Sequence, residues 1–150
     1  MTNKYYVDDW NGVKHTRTSK NRTYTHTVLF QYSPEYDLRE AERLDPNGLD
    51  SSNYDYLIRM AEGNHPYGKP NQRQLDEAKA AACLSKDEYC RSERDKRVRR
   101  HNARRAEGYY NEWGNAGWCG RRDLAEKLLA KYTGERYSRA VIKNVAKLEK

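Results

Sequence analysis

Aliphatic side chains are scarce in this chain, and their scarcity limits the kind of core that it can build. Leu, Ile, Val and Phe together supply 20 of the 150 residues, below the roughly 20% at which a highly charged chain tends towards disorder. Thirteen Tyr and three Trp add apolar area, but each of these rings carries a polar atom that needs a partner or water. The composition therefore predicts a small, tyrosine-rich core, with some segments ordered only against a partner.

Several classes of protein are excluded by what the chain lacks. No apolar run approaches the roughly 20 residues of a membrane span, and the polar start has no apolar signal-peptide region, so we expect a cytoplasmic protein without a membrane partner. The odd number and irregular spacing of Cys83, Cys90 and Cys119 favour reduced thiols over disulfides or a zinc site. Glycine-rich phosphate and dinucleotide motifs are missing too, and we expect no metal and no cofactor.

The net charge of +7 is segregated along the chain. Residues 91–105 sum to +6, whereas residues 35–62 sum to −5. The basic side chains of the first block are Arg91, Arg94, Lys96, Arg97, Arg99, Arg100, Arg104 and Arg105. A dense cationic block gains free energy by displacing condensed counterions from a polyanion, and arginine suits bidentate contacts with phosphate. The block therefore indicates nucleic acid as a partner.

The same charges allow a different interpretation. The acidic segment 35–62 could fold back on the basic block and balance it within the chain, leaving a solvated helix with no partner. A third interpretation is that the block docks on an acidic protein. All three remain open from the sequence.

Residues 1–34 have the pattern of an antiparallel β-meander. Asn11-Gly12 and Lys20-Asn21 supply turns between three runs rich in β-branched and aromatic residues. If Lys20-Asn21 forms the second turn, His15 faces His26 across a strand pair, where two imidazoles could act as acid and base in a nuclease or phosphodiesterase. This is the least expected function. The hairpin tip would present three cations to a phosphate backbone, namely Arg17, Lys20 and Arg22.

The middle of the chain reads as acidic loops followed by helix. Residues 35–70 are loop-rich, with one short helix that begins after a capping Ser51 or Ser52. Residues 71–108 are predicted to be helical and basic. Ser85-Lys86-Asp87-Glu88 fits a capping box, which either starts a new helix or lies within one long helix.

Residues 109–150 read as an aromatic loop followed by a C-terminal element. The loop holds four rings that either fill the core or, as candidate stacking residues, form a platform for unpaired bases. They are Tyr109, Tyr110, Trp113 and Trp118. The apolar spacing within residues 137–148 suits a helix, and the Ala-Val-Ile run suits a short edge strand that joins the N-terminal sheet.

Two stretches carry a resemblance to known proteins. The sequences TRTSKNRTYTH (Thr16–His26) and WCGRRDLAEK (Trp118–Lys127) resemble recurring phrases in small uncharacterised accessory proteins of tailed bacteriophages. The resemblance implies a β-hairpin for the first stretch and a loop entering a helix, often followed by a strand, for the second. It also implies the cytoplasm of a bacterial host, where such proteins manage phage DNA or interfere with host defence complexes. It carries no activity and no catalytic residues.

These observations predict one α+β domain over residues 1–150, with an N-terminal β-meander, a long basic helix and a C-terminal helical or helix-strand element. The expected function is non-enzymatic binding of nucleic acid or of a host nucleoprotein complex, one form of which is an anti-CRISPR-like counter-defence inhibitor. The alternative is a protein-binding inhibitor or a homo-oligomer builder whose basic helix never meets nucleic acid.

Overall fold

The computed structural model describes residues 2–65 and 67–148 and has helices alongside two antiparallel sheets, which confirms the predicted α+β class. The chain divides into two compact units. A β-rich unit comprises residues 1–37 and 104–150, and a helical unit comprises residues 38–103. This division does not decide whether residues 1–150 behave as one domain, which stays a prediction.

The first sheet of the β-rich unit pairs strands that lie far apart in the sequence. Its strands, all antiparallel and in the order β2-β1-β6, are β1 (Asn3–Asp8), β2 (Lys14–Ser19) and β6 (Ala146–Leu148). The predicted hairpin between β1 and β2 is confirmed. Gly12 at its turn has φ +81°, a conformation that glycine adopts without steric cost. Asp9, at 6% exposure, accepts hydrogen bonds from the backbone N–H groups of Asn11 and Val13 at 2.8 and 3.0 Å.

The second sheet is built around a buried central strand. Its order is β4-β3-β5, with β3 (His26–Tyr32), β4 (Gly114–Cys119) and β5 (Tyr137–Asn144). Residues 27–31 of β3 are all buried, and helix α5 (Arg122–Ala130) contacts each of the three strands. A strand that is buried on both faces needs neighbours on both sides and layers above and below.

The predicted pairing of β2 with β3 is wrong. β2 is an edge strand of the first sheet, where His15 lies opposite Val7, whereas His26 lies opposite Cys119 and Asn144 in the second sheet. The facing pair of histidines therefore does not form. The local turn signal was misleading because burial of both faces of β3 outweighs the preference for a short hairpin connection.

Aromatic rings join the two sheets and fulfil the prediction of a tyrosine-rich core. Tyr24 contacts Tyr5 of the first sheet and Trp118 of the second, with ring centroids 5.3 and 6.3 Å apart. On the other face of the second sheet, Phe30 stacks on Tyr132 at 4.8 Å. Edge-to-face and offset contacts of this kind add to the apolar area that each ring buries.

Phe30 also explains a glycine in the neighbouring strand. A Cβ atom on Gly114 would lie 2.5 Å from Cζ of the Phe30 ring. We expect Gly114→Ala to lower the free energy of unfolding by about 1–3 kcal/mol, because the buried ring must shift. Gly134→Ala is the matched control, since nothing lies within 4 Å of its Cβ position. Equal urea midpoints for the two variants would contradict this placement of Phe30.

The helical unit contains α2 and α3, together with most of α1 and α4. The helices are α1 (Pro34–Glu42), α2 (Leu49–Ala61), α3 (Gln72–Ala82) and α4 (Lys86–Ala106), and the division between units falls within α1 and within α4. Its buried cluster consists of Leu57, Met60, Ala78, Ala81, Tyr89 and Cys90. None of the helices that the structure describes is long and apolar enough to cross a bilayer.

Capping side chains define where two of these helices begin. Asn71 and Gln74 form a reciprocal box at the start of α3. Ser85 and Glu88 do the same before α4, since each backbone N–H bonds to the other side chain at 3.2 and 3.1 Å. Ser85 therefore starts a new helix, which settles the alternative left open by the sequence.

The prediction of a loop-rich segment with one short helix after residue 34 is wrong. Helix α1 begins at Pro34, and the hydroxyl of Ser33 accepts a hydrogen bond from the N–H of Tyr36 at 3.2 Å, as an N-cap does. Neither Ser51 nor Ser52 caps α2, because both lie inside it. The hydroxyl and N–H of Ser51 instead bond to Asp45.

The predicted aromatic loop is also wrong in part. After a single 3-10 turn at Tyr109–Asn111, the glycine-rich residues form strand β4, which lies beside β3. The C-terminal element is helix-strand, with β5 pairing with β3 and β6 pairing with β1. The packing of the sheet has overridden the low strand propensity of glycine.

Candidate nucleic-acid interface

The distribution of net charge between the two units differs from its distribution along the sequence. The helical unit holds 13 Lys and Arg against 12 Asp and Glu, a net charge of +1. The β-rich unit holds 16 against 10, a net charge of +6. Most of the excess charge therefore lies outside the unit that contains the larger part of the basic helix.

Three basic side chains of α4 pair with carboxylates of the same helix. Arg91 lies 2.8 Å from Asp87, Arg94 lies 3.2 Å from Asp95, and Lys96 lies 2.9 Å from Glu93. In each pair at least one side chain is more than half exposed, so each pair contributes little to stability and is weakened by salt. The Asp87 carboxylate raises the pKa of Arg91, which keeps this guanidinium charged.

Arg97 has a structural role within the helical unit. Its Nη1 lies 2.8 Å from Oδ2 of Asp50, and the two side chains are only 20% and 14% exposed. Its Nη2 and Nε donate to the carbonyl oxygens of Arg43 and Ala41 at 2.8 and 3.4 Å. The proposed balance with acidic segment 35–62 is therefore realised at Arg97, where one guanidinium holds α2 and the end of α1 against α4.

Arg99 and Arg100 form the part of α4 in the helical unit that has no carboxylate partner. Both are exposed, and neither makes an ion pair within residues 2–65 and 67–148. With Lys96 they lie three and four residues apart on one side of the helix. They line a depression of about 410 Å³ together with Glu93 and Ala103. We call Lys96, Arg99 and Arg100 the arginine face.

The remaining predicted cations belong to the β-rich unit. Arg105 lies 3.7 Å from Glu35 in an exposed pair, and the Arg104 guanidinium lies 5.7 Å from the ring centroid of Tyr109. Arg17 in β2 and both cations of the following connection, Lys20 and Arg22, are exposed. For these last three, the described part of the chain offers no carboxylate within ion-pair distance.

Two of the four candidate stacking rings are occupied by packing. Tyr110 is buried, and its hydroxyl donates to Asp37 at 2.8 Å. Burial and the neighbouring Asp37 carboxylate both raise the pKa of Tyr110, so its hydroxyl stays protonated. Trp113 is also buried, with its ring 4.4 Å from that of Trp10. Tyr109 and Trp118 are half-buried.

The structure brings together a further set of residues that the sequence did not single out. Tyr109 stacks on Tyr32 with the ring planes 3° apart and the centroids 6.2 Å apart. The guanidinium of Arg104 lies over Tyr109, and that of Arg136 lies over Tyr32, each 5.7 Å from the ring centroid. We call these four residues the tyrosine row.

A second row has the same order of cation, ring, ring and cation. The Arg139 guanidinium lies 5.8 Å from the Trp113 ring, Trp113 contacts Trp10, and the Lys143 ammonium lies 4.6 Å from the Trp10 ring. Lys143 also donates to the backbone carbonyl of Asp8. We call these four residues the tryptophan row. The sequence does contain a signal for these cations, because Arg136, Arg139 and Lys143 follow one another without an acidic residue between them.

The histidines do not form a catalytic pair. Nε2 of His15 lies 2.9 Å from Oδ2 of Asp9, and Nδ1 of His26 lies 2.7 Å from the Thr25 hydroxyl. In the described ranges, no three His, Cys, Asp or Glu side chains are grouped to hold a metal ion. The geometry gives no support to a phosphodiesterase.

Comparison of the chain with protein-family models, with curated proteins and with solved structures found no match. Function is therefore inferred from the chain's own residues. The expected phage origin stays a prediction.

Proposed function

We propose that this protein binds nucleic acid by contacting backbone phosphates with arginines that have no carboxylate partner in the fold. The observation that carries the proposal is the arginine face, where Arg99 and Arg100 are exposed and lack an ion pair among the described residues. A second observation supports it, namely the +6 charge of the β-rich unit.

Unpaired arginines are better suited to phosphate binding than the paired ones on the same helix. Arg91 and Arg94 would have to give up Asp87 and Asp95 before they could contact a phosphate. Arg99 and Arg100 exchange only water and loosely held anions, and the release of condensed counterions favours binding. The phosphate contacts are therefore expected at Arg99 and Arg100 rather than evenly along α4.

The test is fluorescence anisotropy with short single- and double-stranded DNA and RNA across a salt titration. For Arg99→Gln/Arg100→Gln we expect weaker binding at low salt. Because each lost phosphate contact lowers the slope of log affinity against log salt by roughly 0.7 to 0.9, the slope should fall by about 1.4 to 1.8.

Arg91→Gln/Arg94→Gln is the matched control, since it removes the same charge from the same helix. We expect it to change the slope less, because these arginines are already paired. If both variants lost affinity and slope equally, the cause would be a general effect of net charge instead. If the wild type bound no nucleic acid at low salt, the proposal would be rejected and an acidic protein partner would take its place.

A counter-defence role would follow if the nucleic acid were held in a host nucleoprotein complex. This finer expectation rests on the resemblance to phage proteins and remains a prediction.

A further inference from the structure

The tryptophan row, taken together with Arg136 of the tyrosine row, combines an exposed ring with cations that have no carboxylate partner. Trp10 is 53% exposed, which is unusual for the largest side chain in a protein with so few apolar residues. No ion pair to Arg136, Arg139 or Lys143 occurs within residues 2–65 and 67–148. Each of these three cations lies over an aromatic ring instead.

We propose that this surface binds single-stranded nucleic acid, with an unpaired base stacked on Trp10 and phosphates held by Arg136, Arg139 and Lys143. The inference rests on the proposed function, because it names the form of nucleic acid that the protein prefers. It uses residues of the β-rich unit that the arginine face does not include.

The spacing of the cations fits an extended backbone. Arg139 and Lys143 lie four residues apart on one face of β5, opposite Gln31 and Thr27, which separates their Cα atoms by about 13 Å. Arg136 precedes the strand by one residue. The cations therefore follow the length of an edge strand beside the ring of Trp10, which is the combination of charged track and stacking platform used to bind single strands.

A base can replace the cation that now covers Trp10. A contact between a cation and an exposed ring contributes a factor of roughly 2 to 5 to an equilibrium constant. A base stacked on an aromatic side chain contributes a factor of roughly 5 to 140 to the affinity. When Lys143 swings from the Trp10 ring to a phosphate, the ring gains a base, and the ammonium exchanges its hydrogen bond to the Asp8 carbonyl for a contact with an anion. The exchange therefore favours the bound state.

The same chemistry discriminates against a duplex. Bases in a duplex are paired and stacked on one another, so they have no face to offer Trp10 unless pairs are broken. A duplex can use only the phosphate contacts of the surface. We therefore expect single strands to bind more tightly than a duplex of the same length.

The experiment uses fluorescence anisotropy to measure the binding of two ligands, labelled oligo(dT) and the duplex that it forms with oligo(dA). Both ligands are tested on the wild type and on Trp10→Ala. We expect Trp10→Ala to weaken binding of oligo(dT) by roughly 5-fold or more and to leave binding of the duplex unchanged. Trp10→Phe keeps a ring and should retain most of the affinity, which separates stacking from any disturbance of the Trp113 contact. Urea unfolding of both variants verifies that the fold is intact.

Arg136→Gln/Arg139→Gln should also weaken binding of oligo(dT), and its matched control is Lys127→Gln/Lys131→Gln, which removes the same charge at exposed sites of the same unit. The inference is overturned if Trp10→Ala binds oligo(dT) as tightly as the wild type does, or if the two double variants lose affinity for oligo(dT) equally. In either case tight binding that still depends on Arg99 and Arg100 would leave the proposed function standing. Wild-type protein that binds neither of these ligands, and no RNA in the salt titration, would overturn both.

Discussion

Arg97→Gln is expected to lower the free energy of unfolding by about 2–4 kcal/mol. The side chain is largely buried and makes an ion pair with Asp50 and hydrogen bonds with two backbone carbonyls. Removing one partner of such a pair leaves the other charge buried and uncompensated, which costs far more than the net worth of the pair. Urea denaturation followed by far-ultraviolet circular dichroism measures the change.

Arg91→Gln is the control for Arg97→Gln because it removes the same charge from the same helix. Its guanidinium and its partner Asp87 are both more than half exposed, and we expect little or no change in stability. A stability of Arg97→Gln equal to that of Arg91→Gln would mean that the Asp50 contact is not formed in solution. Arg97 is also unsuitable for testing nucleic-acid binding, since its loss disturbs the fold that presents Arg99 and Arg100.

Asp9→Ala is expected to destabilise the β-rich unit by about 2–3 kcal/mol at neutral pH. The buried carboxylate accepts hydrogen bonds from His15 and from the N–H groups of Asn11 and Val13, and it holds the turn between β1 and β2. Hydrogen bonds to a charged group contribute more than those between neutral groups, and their loss leaves buried groups without partners. Asp8→Ala removes an exposed carboxylate beside it and should have a much smaller effect.

The effect of Asp9 depends on pH with a defined sign. Burial raises the pKa of Asp9, but the hydrogen bonds from His15, Val13 and Asn11 outweigh burial and hold the pKa below its ordinary value. Its stabilisation is therefore fully present above the unfolded pKa of about 3.9 and is lost as the pH falls through the lower folded pKa. The stability difference between wild type and Asp9→Ala should shrink below about pH 4. A difference that stays constant under acid would contradict the role of the charged carboxylate.

Elements defined by adjacent residues could be predicted from the sequence. The turn at Asn11-Gly12 and the capping box at Ser85-Glu88 both depend on residues within a few positions of one another, and both are confirmed. The start of α1 was equally readable, because Ser33-Pro34 has the pattern of an N-cap followed by proline in the first turn. The predicted β-meander over residues 1–34 ends at Pro34, and this assignment as the end of a strand obscures the helix start at the same residue.

Pairings across long separations could not be predicted in this way. β3 pairs with β4 and β5, and the paired residues lie between 84 (Phe30 and Gly114) and 118 (His26 and Asn144) positions apart in the chain. No local pattern marks the glycine-rich β4 as a strand, since its place depends on the Phe30 ring and the neighbouring backbone. The ring contacts of Trp10 have the same origin, because Trp113 and Lys143 reach it only after the sheets have assembled.

The sequence predicted the chemistry of the candidate site but identified only some of its residues. The sequence identified eight cations on one helix, and the fold gives five of them carboxylate partners. Which carboxylate reaches which arginine depends on the tertiary path of the acidic segment, and composition does not encode that path. Arg99 and Arg100 stood out only when their neighbours were seen to be paired.

The pairing of β1 with β6 sets the order in which the chain can fold. Lys4 lies opposite Leu148, so the first sheet cannot be completed until residue 148 has left the ribosome. Residues 38–103, by contrast, are contiguous and helical, so their contacts need no residue outside this one segment. We therefore expect the helical unit to fold during synthesis. Until β6 has been made, β1 keeps an exposed edge that can pair with other molecules.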